Sequence, residues 1–105
     1  MVDGVAIVRL RGELDLATVH DVRQLLDKAR RTQASKVLVC LGGVSFVDAA
    51  TVGVIVSAWS AARDSGQQLR VEGLVEQPAR VFDVLGLRGL LVPPGPSVGT
   101  SGRIT

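Results

Sequence analysis

The chain has no tyrosine, two phenylalanines and one tryptophan among its 105 residues. With so few rings, the core must be assembled from Val, Leu, Ile and Ala. The aromatic platforms on which proteins stack single-stranded nucleic acid are also missing. One cysteine and one histidine cannot build a Cys/His zinc site or a disulfide framework. No Lys/Arg block is longer than the pair Arg30-Arg31, and 12 basic against 10 acidic residues leave a net charge of +2. A nucleic-acid partner, which needs clustered cations, is therefore not expected. No signal peptide and no apolar span of membrane length is visible, so the sequence predicts a cytoplasmic protein without membrane insertion. No Gly-rich loop of Walker type occurs, and nothing in the sequence calls for a cofactor or a metal.

What is present is organised around residues 36–65. Lys36-Val37-Leu38-Val39-Cys40-Leu41 is a short apolar run rich in β-branched residues and followed by two glycines. It predicts a strand stopped at Gly42, and its lack of polar alternation suits burial on both faces of a parallel sheet. Cys40 then falls inside that strand as an inert core residue. Residues Gly42 to Asp48 read as a loop. The apolar stretch after Asp48 is too long for a strand and begins behind a good N-cap residue, so it predicts a helix. This places Asp48, Ala49, Ala50 and Thr51 at the surface where a parallel α/β fold carries its binding sites.

The flanking segments complete an α/β pattern. Asp3-Gly4 is a hairpin-turn signal before the strand Val5 to Leu10. Only Met1 and Val2 precede it, so the partner strand is either a stub or lies upstream. Gly12 to Thr18 reads as a loop into a helix ending near Arg31. Thr18 and Asp21 are placed as a capping box, and Val19, Val22, Leu25, Leu26 and Ala29 form the core face. His20 belongs to the opposite, charged face as a surface residue. Gln68 to Gly73 alternates as an edge strand. Pro78 opens a short helix at its first position, and Leu90-Leu91-Val92 forms a last strand. Trp59 is in register with the core side of the central helix. The domain is expected over 1–92, with a Pro/Gly/Ser-rich disordered tail over 93–105.

Three segments resemble the signatures of STAS domains, the family of bacterial anti-sigma factor antagonists and of a domain of sulfate transporters. They are Arg11-Gly12-Glu13-Leu14-Asp15, the stretch Leu41 to Val54, and Val81-Phe82-Asp83-Val84-Leu85-Gly86-Leu87, in order and at the family's spacing across about residues 4 to 92. The resemblance implies a single α/β domain: a mixed, mostly parallel sheet, an N-terminal antiparallel hairpin, and helices packed on the sheet. It also implies an anti-sigma factor partner with a GHKL-type kinase fold, whose capture releases a sigma factor. In regulated members the kinase phosphorylates a Ser at the start of the central helix, in an Asp-Ser-Ser-Gly setting. Here that setting is Asp48-Ala49-Ala50-Thr51. The acceptor position holds Ala50, and Thr51 is the candidate for a shifted phosphorylation.

Partner-binding residues are then expected at Asp15, Asp48, Ala49, Ala50, Thr51 and Val52. An abbreviated first strand, and a Pro/Gly/Ser tail where many family members have a further helix, leave room for a homodimer or another partner. Catalysis is not expected. His20 lies on a polar face, Cys40 lies in a strand, and the acidic pair and Lys that accompany a receiver-type phosphoacceptor are not recognisable around Asp48. A STAS scaffold subunit of a signalling or transporter-associated complex is the competing reading.

Overall fold

The computed structural model describes residues 4–90. Along the chain run β1 (Val5–Leu14), α1 (Val19–Arg31), β2 (Lys36–Val47), α2 (Ala49–Asp64), β3 (Gln68–Glu72), α3 (Glu76–Val84) and a 3-10 turn at Arg88–Leu90. The described strands form one sheet in the order β1-β2-β3, with both pairings parallel. The partner strand of the expected N-terminal hairpin would fall on Met1 to Asp3, outside the described residues. So do residues 91 and 92 of the expected last strand. Leu90 itself is no strand residue: it closes the 3-10 turn and is buried.

One face of the sheet carries the core. Ala6, Val37 and Leu69 are register partners, as are Val8, Val39 and Val71, and all six are buried. On them pack α1, through Val22, Leu26 and Ala29, and α2, through Val52, Ile55, Ala58 and Ala62. The opposite face is more open. Ile7, Leu38 and Arg70 lie across from one another, as do Arg9, Cys40 and Glu72, and each is exposed or half-buried. The expectation that β2 would be buried on both faces is therefore corrected. Both long helices sit on one side, so β2 is apolar throughout but covered once.

Strands β1 and β2 are both longer than the sequence suggested. Gly42-Gly43 does not stop β2, because β1 also continues and offers partners: Arg11 opposite Gly43, Gly12 opposite Val44, and Leu14 opposite Val47, with register shifts between them. Glycines suit this irregular stretch, where a bulge and a close backbone pass are both needed. The chain leaving β3 crosses at Gly73, φ +82°, where an added Cβ would stand 2.9 Å from the Gly42 nitrogen. Only glycine fits that crossing.

Three helix details also differ. Thr18 does not cap α1 with its side chain; its hydroxyl turns back to Asp15. Leu25 is exposed, because the Val22-Leu26-Ala29 line takes the centre of the buried stripe and pushes Leu25 to its rim. Helix α3 starts two residues before Pro78, which is tolerated there because first-turn amides have no acceptor within the helix. Trp59 packs half-buried against the core, with the Arg63 guanidinium 4.7 Å from its ring centroid.

Candidate functional site

The C-terminal ends of β1 and β2 and the start of α2 converge. Leu14 and Val47 are register partners, and the Asp48 amide donates to the Leu14 carbonyl at 3.1 Å, so the two strands leave the sheet together. Asp48 then turns the chain into α2 as its N-cap, accepting the Thr51 amide at 2.8 Å. Beside it, Asp15 is held in a turn of its own. Its carboxylate accepts the Ala17 amide at 2.9 Å, and its amide donates to the Thr18 hydroxyl at 3.1 Å. Asp15 and Asp48, expected to be neighbours, are brought to the same corner.

The Asp48 carboxyl is held below its ordinary value of 3.8, chiefly by the Thr51 amide, with the Leu16 amide also contributing. A lowered folded pKa contributes stability that is present above the unfolded value and lost as pH falls through the folded one. Asp48→Ala is therefore expected to lower the melting temperature at neutral pH. The difference from wild type should shrink as the pH drops below about 4 and the capping carboxylate protonates. Parallel thermal melts between pH 2.5 and 7 check this, and a difference that stays constant down to the acid end would contradict the capping role.

The first four residues of α2 do not share one environment. Ala49 and Ala50 are exposed, whereas Thr51 is 0% and Val52 2% exposed. The expectation of Thr51 as a surface residue is corrected by helical geometry, and Val52, expected to bind the partner, is buried beside it. Thr51, Val52 and Ile55 follow the i, i+1, i+4 pattern of an inward face, while Ala49, Ala50 and Gly53 look outward. The Thr51 hydroxyl oxygen is fully buried and makes no hydrogen bond of good geometry, although it lies near enough to the Asp48 carboxylate to help hold that group below its ordinary value. Because a buried polar group without a partner is costly, Thr51→Val is expected to raise stability by about 1 kcal/mol. Denaturant unfolding measures this, and a loss of stability would mean that the hydroxyl is satisfied in solution.

One residue escaped sequence reasoning. Gln77, on the first turn of α3, accepts the Val47 amide and donates to the Val47 carbonyl, each at 3.0 Å. Among the described residues β2 has no partner on its β3 side beyond Cys40, and the Gln77 side-chain amide stands where a strand would pair. It ties α3 to the residue just before Asp48. An isolated Gln in a short helix carries no pattern from which this could have been read.

The remaining titratable candidates lie elsewhere. His20 is exposed on α1. The Cys40 thiol sits on the open sheet face, where burial first and the bond it donates to Glu72 second push it up to about 11. It stays protonated at neutral pH and is a poor nucleophile. Among the described residues no three His, Cys, Asp or Glu side chains come together to hold a metal, and no helix is long and apolar enough to cross a membrane. A cavity of about 680 Å³ lies between the C-terminal ends of α1 and α2, lined by Arg30, Gln33, Ser35 and Gln67, at the other end of the strands.

Known proteins share this fold. The chain belongs to the STAS domain family, whose pattern matches residues 1–101. An anti-sigma-B factor antagonist of Staphylococcus epidermidis is 32% identical over 84 residues, covering 80% of this chain and 78% of that protein. Among solved structures, the anti-sigma factor antagonist SpoIIAA in its unphosphorylated form superimposes with a TM-score of 0.76 at 21% identity, over 88% of this chain and 82% of that one. The phosphorylated form of the same Bacillus cell fate determinant gives 0.69 at 22% identity, over 88% and 85%.

Proposed function

We propose that this protein is an anti-sigma factor antagonist. In this reading it binds an anti-sigma factor of the GHKL-type kinase fold through the corner formed by Asp15, Asp48, Ala49 and Ala50, and so frees a sigma factor. The relatives' names support the antagonist role, since the curated Staphylococcus protein and the SpoIIAA structures both carry it. One observation carries the further claim that this antagonist is unswitched: the exposed position at the helix start is Ala50, which has no hydroxyl, while the neighbouring Thr51 is buried. A phosphate at such a corner would lie at the positive end of α2 without straining the fold, yet would add about two negative charges to a docking face that already holds carboxylates. Replacing the acceptor by alanine removes that control and leaves the docking face permanently bare.

The test is incubation with each anti-sigma kinase of the same genome and Mg-ATP, followed by size-exclusion chromatography and intact-mass analysis. The expected result is a stable complex with one of them and no change in mass. A gain of one phosphoryl group that disappears in Thr51→Ala would move the switch to Thr51 through opening of the first helical turn. Neither binding nor modification would favour the scaffold reading.

A further inference from the structure

The two segments that meet at the corner, residues 12–22 and 42–62, contain no Lys or Arg, although the chain has 12 such residues. They do contain Glu13, Asp15, Asp21 and Asp48. Glu13 and Asp21 are exposed, and Asp15 and Asp48 are half-buried. The nearest cations in sequence are Arg11 on β1 and Arg63 at the end of α2, and α3 brings Arg80 one turn beyond Gln77. A chain of net positive charge thus presents an acidic corner.

At that corner Leu16 is 75% exposed, and Ala17, Ala49 and Ala50 are also exposed. A scattered surface leucine is ordinary. Leu16 differs in being held out by a fixed turn. The Ala17 amide is bound by the Asp15 carboxylate, the Thr18 amide by the Asp15 carbonyl at 3.0 Å, and the Asp15 amide by the Thr18 hydroxyl. An apolar side chain presented on a pre-ordered turn loses little freedom on binding, which is what an interface anchor requires. Exposed small apolar residues and carboxylates on the same two segments supply the two ingredients of a protein interface, an apolar contact and a charged surround.

We propose that Leu16 is the apolar anchor of the docking face, and that the partner surface is an apolar pocket ringed by Lys and Arg side chains. The inference rests on the antagonist reading and adds the chemistry of the surface that the anti-sigma factor must offer. The acidic rim steers the encounter and orients it, while Leu16 fills the pocket and slows dissociation.

The test is calorimetric titration and surface-binding kinetics of wild type, Leu16→Ser and the double variant Glu13→Gln/Asp21→Asn against the anti-sigma factor that wild type binds. Leu16→Ser is expected to weaken binding about 10- to 100-fold, mostly through faster dissociation, with an unchanged melting temperature because the side chain lies outside the core. The double variant is expected to slow association at low salt and to flatten its salt dependence. Leu16→Ser binding within about twofold of wild type would overturn the anchor while leaving the antagonist reading intact. Wild type that binds no anti-sigma factor would overturn both. Wild type that self-associates, and becomes monomeric in Leu16→Ser, would assign the face to a second copy of this chain and overturn the proposed partner.

Discussion

Phe82→Ala is expected to lower the unfolding free energy by about 3–5 kcal/mol, the cost of truncating a large, fully buried ring. Phe82 is 0% exposed and is the largest of the fully buried side chains. Its helix has nine residues, too few to persist on propensity alone, and Pro78 and Phe82 are its buried members. Removing the ring leaves a cavity that a Val- and Ala-rich core refills only partly, and it takes away the main hold on α3. The loss is a large share of the total stability of a domain this size, about 5–15 kcal/mol. Urea unfolding measures it. Loosening of α3 should also release Gln77 from Val47, so amide exchange at Val47 is expected to accelerate beyond the global effect. Exchange at Val47 that follows global stability alone would mean that the Gln77 contact is not held by α3 packing.

Ala50→Glu is expected to reduce affinity for the anti-sigma factor by about 100-fold or more while leaving the fold intact, as for a charge placed in a desolvated contact. Ala50 is exposed on the second residue of α2, beside the Asp48 cap. A carboxylate in the first turn interacts favourably with the helix dipole, so the melting temperature should hold or rise slightly. The same charge at Thr51 would report nothing about docking, because that side chain points into the core and an ion there would unfold the domain. Ala50→Ser completes the comparison. It returns a hydroxyl to the exposed position and is expected to gain one phosphoryl group from the partner kinase, with release of the complex. Full affinity of Ala50→Glu would remove this corner from the interface.

Local physics made several features legible in the sequence. Asp48 caps α2 because a short acceptor followed by a long apolar stretch leaves few other conformations, and the spacing of Val22, Leu26 and Ala29 marks the buried line of α1 by geometry alone. Alternation in Gln68 to Gly73 foretold an edge strand, and among the described residues β3 pairs on one side only. The parallel order of the described strands followed from strands separated by helices. The three signature segments pointed to the family, and the corner formed by Asp15 and Asp48 came with them.

Tertiary structure decided the rest, because each remaining feature depends on a partner far away in sequence. Gly42 and Gly43 read as a stop, but the neighbouring β1 was long enough to keep pairing with them. Lys36 to Leu41 read as doubly buried, but apolar character does not say on which side the helices pack. Thr51 and Ala50 are adjacent, and the chain alone does not reveal how a helix is rolled about its axis; packing against the sheet turned one inward and left the other in solvent. Gln77 became a strand substitute only because α3 docks where β2 lacks a neighbour. Leu16 looked like any apolar residue of a loop until a turn closed by Asp15 and Thr18 held it away from the core. Sequence determined which elements form. The roll, docking and exposure that turn those elements into a binding face were set by long-range packing.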